Sequence, residues 1–439
     1  MAPDAAGHAE HAHEPGSGER PGRMPGHDDV ASMVPFEEAR ERLLDRIQPL
    51  APIDLPLQEA FGCVLAEDVV AEFDMPPFSS SGMDGFAVRS NDVAGATPGS
   101  PVELRVVGRA QIGRHPDATV GWGEAVRIAT GAPVPAGADC IVPIEDSEPG
   151  EGSVRVLHPV GEGRHIRPAG EDVKADEVLA PAGRRIGGAE MGLLAASGRA
   201  QAPCHPRPRV VVISTGDELV EPWLPTAFGQ VRDANSFTIS GGLKEAGATP
   251  YLAGIVRDDV EQLQDAIVGQ MVQADAFISS GGVSVGERDV VKQAFSGRGD
   301  VDFYRVAMQP GMPQAFGHIE GKPYFGLPGN PVSVFVSFEV FIRPALMKMM
   351  GRRRREWFRP QVTAMMESDV SGPRDKTVFA RVRVARRREG WTATSTGGRG
   401  SNLLGTVARA NGLAVIPPGT ETVRRGEEAQ VMVFRALEA

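Results

Sequence analysis

Three cysteines in 439 residues, Cys63, Cys140 and Cys204, are odd in number and far apart, which excludes a disulfide framework. They also lack the spacing of a metal site, so the chain reads as cytoplasmic, in a reducing compartment. No run reaches the roughly 18 to 20 unbroken apolar residues of a membrane helix, so no membrane partner is expected. The first thirty or so residues are rich in His, Gly, Pro and Ala but have no apolar stretch behind a basic start, and are not a secretory signal. They read as a disordered tail, residues 1–32, in which His8, His11 and His13 are solvated rather than metal ligands. Aromatic residues are scarce at 6%. The arginine runs Arg352 to Arg355 and Arg386 to Arg388 are not interleaved with an aromatic platform, and the body before them is acidic within a net charge of −11. A polyanion would be repelled, which excludes nucleic acid as a partner.

Glycine and proline are abundant, 53 and 36 residues, and imply many turns in a chain long enough for several domains. Apolar residues Phe36, Ala39, Leu43 and Ile47 recur at helical spacing behind Pro35, predicting a helix from there to about Leu50. Short Val- and Ile-rich runs (Val102 to Val107, Glu124 to Ile128, Cys140 to Ile144, Ser153 to Leu157) then predict an antiparallel β module. A short helix over Ile186 to Ser197 follows, ended by Gly198.

From Arg209 the pattern alternates. Strands are predicted at Arg209 to Ser214, Pro250 to Val256, Ala276 to Ser280 and Lys322 to Gly326. Helices are predicted at Ser236 to Glu245, Val260 to Gln273 and Val290 to Phe295, with a long one beginning near Pro331. This alternation calls for a doubly wound, mostly parallel α/β sheet covered on both faces. Later strands at Gln361 to Met366, Phe379 to Ala385, Leu413 to Ile416 and Ala429 to Phe434 predict a small C-terminal β domain. The fold class is thus multidomain α/β plus β. The divisions are 33–75 with 166–205 as an elongated helix/β domain, 76–165 as an inserted β module, 206–351 as the α/β domain and 352–439 as the β domain.

In an open α/β sheet, ligands collect at the carboxyl ends of the strands. Here those ends run into Ser214-Thr-Gly-Asp-Glu218, Arg257-Asp-Asp259, Ser279-Ser-Gly-Gly-Val-Ser-Val-Gly-Glu-Arg-Asp289 and Gly326-Leu-Pro-Gly-Asn-Pro331. The glycines and hydroxyls suit phosphate oxygens, whereas Glu218, Asp258 and Asp289 would repel them. Mg²⁺ reconciles the two, because it is held by one or two carboxylates plus substrate phosphate. Singly, each acid could equally be a helix cap. Neither a P-loop nor a G-x-G-x-x-G fingerprint occurs, and Gly282-Val-Ser-Val-Gly286 resembles a hydrolase nucleophile elbow without the acid and histidine order that chemistry needs. On the β module, Asp84 lies between Gly82 and Gly85, on a loop that a ligand could approach closely.

Six segments in order (Met83-Asp-Gly-Phe-Ala, Thr130-Gly-Ala-x-x-Pro-x-Gly-Ala-Asp139, Arg167-Pro-x-Gly-Glu-Asp172, Ser214-Thr-Gly-Asp-Glu-Leu219, Ser280-Gly-Gly-Val-Ser-x-Gly286 and Gly326-Leu-Pro-Gly-Asn-Pro-Val-Ser333) resemble the molybdopterin molybdenumtransferase family, to which the last domain of gephyrin also belongs. The resemblance runs from about Met33 to the C-terminus. It implies an enzyme that inserts molybdate at the dithiolene of adenylylated molybdopterin, releasing AMP with Mg²⁺ present. It also implies a homodimer with clefts shared between subunits, and the molybdopterin adenylyltransferase is a further candidate partner. By position, Asp84, Glu218, Asp258 and Asp289 match functional residues, the last three around Mg²⁺. The substrate set implied is Thr130, Ser214, Thr215, Gly216, Asp217, Ser280, Gly281, Gly282, Ser284, Arg305, Pro328, Gly329, Asn330, Pro331 and Ser401. Some relatives carry lysines around the turn that here reads Arg305-Val-Ala-Met-Gln309-Pro-Gly-Met312, leaving Arg305 as its cation. Two rival readings are the sibling adenylylating enzyme, which would not need the N-terminal modules, and a gephyrin-like scaffold.

Overall fold

The computed structural model describes residues 33–283 and 299–435. The tail 1–32, the helix expected at Val290 to Phe295, Ser284 and Asp289 lie outside the described residues.

The first helix, Phe36–Asp45, buries Phe36, Ala39, Leu43 and Leu44. It stops short of Leu50 because Pro49 lacks an N–H and disfavours helical backbone at the residue before it. Past its end, Arg46 reaches across to Asp300 at 2.7 Å and Asp302 at 3.0 Å. An arm follows, built from strands far apart in sequence. Gln201–His205 pairs with both Ile53–Pro56 and Val64–Leu65, Val178–Ala180 pairs with Val69–Val70, and Ile166–Arg167 pairs with Ser80–Ser81. The short helix here is Gly188–Ala196, and Glu190 turns back to accept the Gly187 N–H at 2.9 Å.

The inserted β module is a six-stranded sheet in the order Ser147–Pro149, Ser153–Val156, Val102–Ala110, Glu124–Ile128, Gly85–Val88, Cys140–Pro143. It is not wholly antiparallel as expected, because Val102–Ala110 and Glu124–Ile128 run parallel. Parallel neighbours need a connection of about a dozen residues or more, and residues 111–123 supply one.

The central sheet is ordered Thr249–Val256, Arg209–Thr215, Ala276–Ser280, Lys322–Leu327, Pro313–Ile319, Gly299–Gln309. Its first four strands are parallel. Val210 and Val212 join the core that contains Ile239 and Leu243 of the Asn235–Ala246 helix, while Val211 and Ile213 join the one containing Leu263 and Ile267 of the Val260–Val268 helix. Period-two alternation within one strand thus buries both faces under helices. The last two strands form an antiparallel hairpin, outside the strands expected from the sequence, whose outer strand also pairs in parallel with Val34–Pro35. The Val260 helix ends at Gly269, before the expected Gln273.

The long helix expected from Pro331 is three segments, Pro331–Ser337, a π-helical turn Phe338–Ile342, and Arg343–Met349. Pro344 cannot donate to the preceding turn, so the α ladder breaks there. Within the π turn, Glu339 is buried and accepts both a 2.8 Å and a 3.0 Å bond from Arg359. Glu339→Gln should therefore leave a largely buried guanidinium with only the more distant Glu245, 3.9 Å away, as countercharge. A loss of about 3–5 kcal/mol is expected from urea unfolding, the cost of breaking a buried pair from one side.

The C-terminal strands Thr377–Arg387, Gly390–Ser395, Gln361–Met366, Glu428–Val433 and Gly412–Ile416 close on themselves, since the last pairs back with the first. The small β domain is thus a barrel, which leaves no open edge. Met308 and Gln309 at the end of the central hairpin pair with Thr377 and Val378, joining barrel and sheet in one ladder.

Candidate active site

In the central sheet, Ser214 is in register with Ile255 on one side and Ser280 on the other, and Ser280 with Leu327. One row of residues thus crosses four parallel strands. The segments that follow it, Gly216 to Glu218, Arg257-Asp258, Gly281-Gly282 and Pro328 to Pro331, emerge on a single rim. Strand order reverses between Arg209–Thr215 and Ala276–Ser280, which is where such sheets open a crevice for ligands.

Backbone glycine is needed at two points of this crevice. Gly281 has φ +98°, and a Cβ there would stand 2.4 Å from the Thr215 carbonyl oxygen. At Gly216, φ +152°, a Cβ would stand 2.6 Å from Glu218 Oε2, so the Glu218 carboxylate lies over the turn. The Gly281 N–H donates to the Leu327 carbonyl at 3.0 Å, tying the two loops together. Asn235, which was not foreseen, clamps them further by donating from Nδ2 to Ser280 Oγ at 2.8 Å and to the Gly329 carbonyl at 2.7 Å. Asp233 Oδ1 accepts the Asn235 and Ser236 N–H groups at 3.0 and 3.1 Å, so the helix start that carries Asn235 is capped at the crevice. Ser214 Oγ and Asn235 Oδ1 are buried without a hydrogen-bond partner among the described residues, an exception that a bound ligand, ion or water would account for.

Ser214, Thr215 and Ser280 are buried, whereas Asp217, Glu218 and Asp258 are exposed on the rim. Among the described residues, no three His, Cys, Asp or Glu side chains are grouped as a ready metal cage. Two exposed carboxylates beside phosphate-suited loops nevertheless match the donor set of a hard cation that keeps water and takes substrate oxygens. Asn330 precedes the Pro331–Ser337 helix, and the Val332 N–H donates to the Ser401 carbonyl at 2.9 Å. Ser401 of the barrel is thereby brought beside the Pro328–Pro331 loop.

Arg305 lies in the hairpin in register with Pro313, the residue that follows the Gln309 to Met312 turn. A second cation at the turn is Lys376 of the barrel, whose Nζ lies 3.8 Å from Met312 Sδ. A cavity of about 190 Å³ beside Gln309 and Pro310 is lined by Arg381 and Arg399 and by one acid, Asp369. Arg381 is buried and donates from Nε to Thr406 Oγ1 at 3.1 Å and from Nη2 to the Gly398 carbonyl. Sequence spacing gave no sign of Asn235 or Lys376, since their partners lie at least 45 residues away.

Asp84 and Thr130 meet on the β module. Asp84 Oδ1 accepts the Thr130 N–H at 2.7 Å and its hydroxyl at 3.0 Å. These bonds, the backbone one foremost, hold the Asp84 carboxyl below its usual range, so it is ionised and can only accept at neutral pH. By linkage, what the bonds add to stability is present above the ordinary carboxylate pKa and is lost as pH falls through the lowered one. Thr130→Val keeps the amide donor and removes the hydroxyl. The Asp84 pKa should rise toward the ordinary value, as read by carbon-detected NMR titration. Asp84 and Thr130 make no hydrogen bond or ion pair with the rim among the described residues.

Models of the MoeA N-terminal region (domain I and II), a probable molybdopterin binding domain and the MoeA C-terminal region (domain IV) match residues 34–198, 211–348 and 363–434. Fold and site therefore define a multidomain protein of the MoeA class, with N-terminal domains, a central α/β domain and a C-terminal β barrel. Molybdopterin molybdenumtransferase 2 of Mycobacterium tuberculosis is 42% identical over 91% of this chain and 99% of its own length. Molybdopterin molybdenumtransferase of Haemophilus influenzae is 32% identical over 92% of this chain and all of its own. A solved MoeA protein of Pyrococcus horikosii superposes with a TM-score of 0.80 at 31% identity, covering 92% of this chain and 100% of that one. The chain belongs to the MoeA family of molybdopterin molybdenumtransferases.

Proposed function

We propose that the crevice at the strand-order reversal binds adenylylated molybdopterin, and that molybdate is inserted there at the dithiolene with release of AMP. The activity itself, molybdopterin molybdenumtransferase in molybdenum cofactor biosynthesis, is that of the family. The observation that supports the site is the register of Ser214, Ser280 and Leu327, locked by Asn235, because it brings the glycine loops and the segments carrying Glu218 and Asp258 to one rim. Gly216, Gly281, Gly282 and Gly329 let backbone approach a phosphate group closely. Glu218 and Asp258, with Asp289, would hold Mg²⁺, which when bound neutralises charge on the pyrophosphate link. Lys376 at Met312, with Arg381 and Arg399 set against the single acid Asp369 in the cavity beside Gln309, supply net positive charge at the turn, where an oxyanion such as molybdate would be held.

Asp84 is kept as a carboxylate by Thr130. It therefore orients water, or accepts a proton, and does not store one as an acid while oxide leaves molybdate. Because it sits on a module separate from the rim, we place it in the cleft of a partner subunit within a homodimer. In this reading the divisions are 33–75 with 166–205, 76–165, 206–351 and 352–439. The test is turnover with adenylylated molybdopterin and molybdate. AMP release that requires Mg²⁺ supports the reading, and no release, or release indifferent to Mg²⁺, overturns it.

A further inference from the structure

Several arginines that the crevice does not use gather elsewhere, where the linker after the Arg343–Met349 helix passes the arm. Arg184 is paired with Glu190 at 2.6 Å and Arg354 with Glu41 at 2.6 Å. Their neighbours are not so matched. Among the described residues, Arg185, Arg207 and Arg353 have no carboxylate within ion-pair distance, and Arg352 has only Glu356 at 3.9 Å, which also faces Arg355 at 4.0 Å. The Arg207 guanidinium donates to the Phe61 carbonyl, and Arg353 Nη2 to the Ala182 carbonyl at 3.3 Å. Neither acceptor carries a countercharge.

These groups are close together. The point where a Cβ on Gly62 would stand is 3.3 Å from Arg207 Nη2 and 3.7 Å from Arg185 Nη2, so the two guanidinium groups flank one spot. Arg353 Nε is 3.3 Å from the corresponding point on Gly183, in the same segment that carries Arg185. Burial lowers the Arg352 pKa, and the positive charge of Arg185 lowers it further, which places Arg352 within electrostatic reach of Arg185. Its Nε is buried and meets no hydrogen-bond partner among the described residues. Positive charge thus accumulates on a seam of a chain whose net charge is −11.

Like charges held side by side repel, and the repulsion is relieved when a multivalent anion sits among them. Guanidinium forks match phosphate oxygens in pairs. We propose that the seam formed by Arg185, Arg207, Arg352 and Arg353 is a binding site for a small, multiply charged phosphate compound, distinct from the crevice. Arg185 and Arg207 come from the arm, and Arg352 and Arg353 from the linker. A ligand bridging them braces the arm against the body.

Inorganic pyrophosphate is the probe, tested on the full chain by titration calorimetry and thermal unfolding against chloride at matched ionic strength. Saturable binding and a rise in Tm are expected for the wild type, since a ligand selective for the folded state stabilises it. Arg185→Gln with Arg352→Gln should weaken binding at least tenfold and abolish the rise. Arg387→Gln with Arg388→Gln removes the same charge from the barrel and should change neither. No saturable binding, wild-type affinity in the seam variant, or an equal loss in the barrel variant overturns the proposal. If the double seam variant does not fold, Arg207→Gln decides. Affinity lowered about threefold or more supports the seam, and unchanged affinity overturns it.

Discussion

Mixed dimers of Asp84→Ala and Glu218→Ala subunits, each inactive alone, are expected to recover about a quarter of wild-type activity. Random exchange at equal amounts makes half the dimers mixed. In a twofold dimer with shared clefts, each mixed dimer then has one doubly damaged site and one intact site. The expectation follows from the placement of Asp84 and Thr130, which bond to each other and not to the rim. If one chain supplied both residues to its own cleft, every site would stay damaged. Proven subunit exchange with no return of activity rejects the shared cleft.

Glu218→Gln is expected to lower AMP release by about 10² or more, the scale of a lost charge stabilisation at a transferring phosphate. The change is nearly isosteric, and Glu218 is exposed on the rim with its carboxylate folded over Gly216. The fold should therefore be unaffected, as near-UV circular dichroism would check, while the Mg²⁺ concentration for half-activity rises. Unaltered rate and unaltered Mg²⁺ dependence would remove Glu218 from the cation site. Asp258→Asn, on the adjacent strand end, gives the parallel test.

What could be read from sequence was whatever repeats locally. Val210 to Ile213 alternate between two cores, and Leu263 and Ile267 fall one helical turn apart, so the strands and helices of the central domain announce themselves. Their carboxyl ends carry glycine because backbone approach is close there, and Gly281 shows why no side chain fits. Distant partnerships leave no such mark. Asn235 depends on Ser280 and Gly329, and Lys376 on Met312, and nothing in the residues near either announces those partners. The hairpin Gly299–Gln309 with Pro313–Ile319 is not legible in the sequence because exposed Asp300 and Arg305 interrupt the apolar pattern of the first strand, while Pro313 and Gly317 interrupt the second. The resemblance marks Asp84 and Thr130 separately, and their pairing across 46 residues is visible only in the fold.

The ladder that joins Met308 and Gln309 to Thr377 and Val378 makes the barrel a continuation of the central sheet. Loss of that short pairing would expose unpaired amides on both sides, so the two bodies should open as one cooperative unit. In hydrogen exchange, the amides of Gly299–Gln309 and Thr377–Arg387 should share one opening free energy. A protease nick in the linker at 352–360 would then leave the halves associated, held by this pairing and by the core that Phe379, Leu413 and Phe434 share with Phe341.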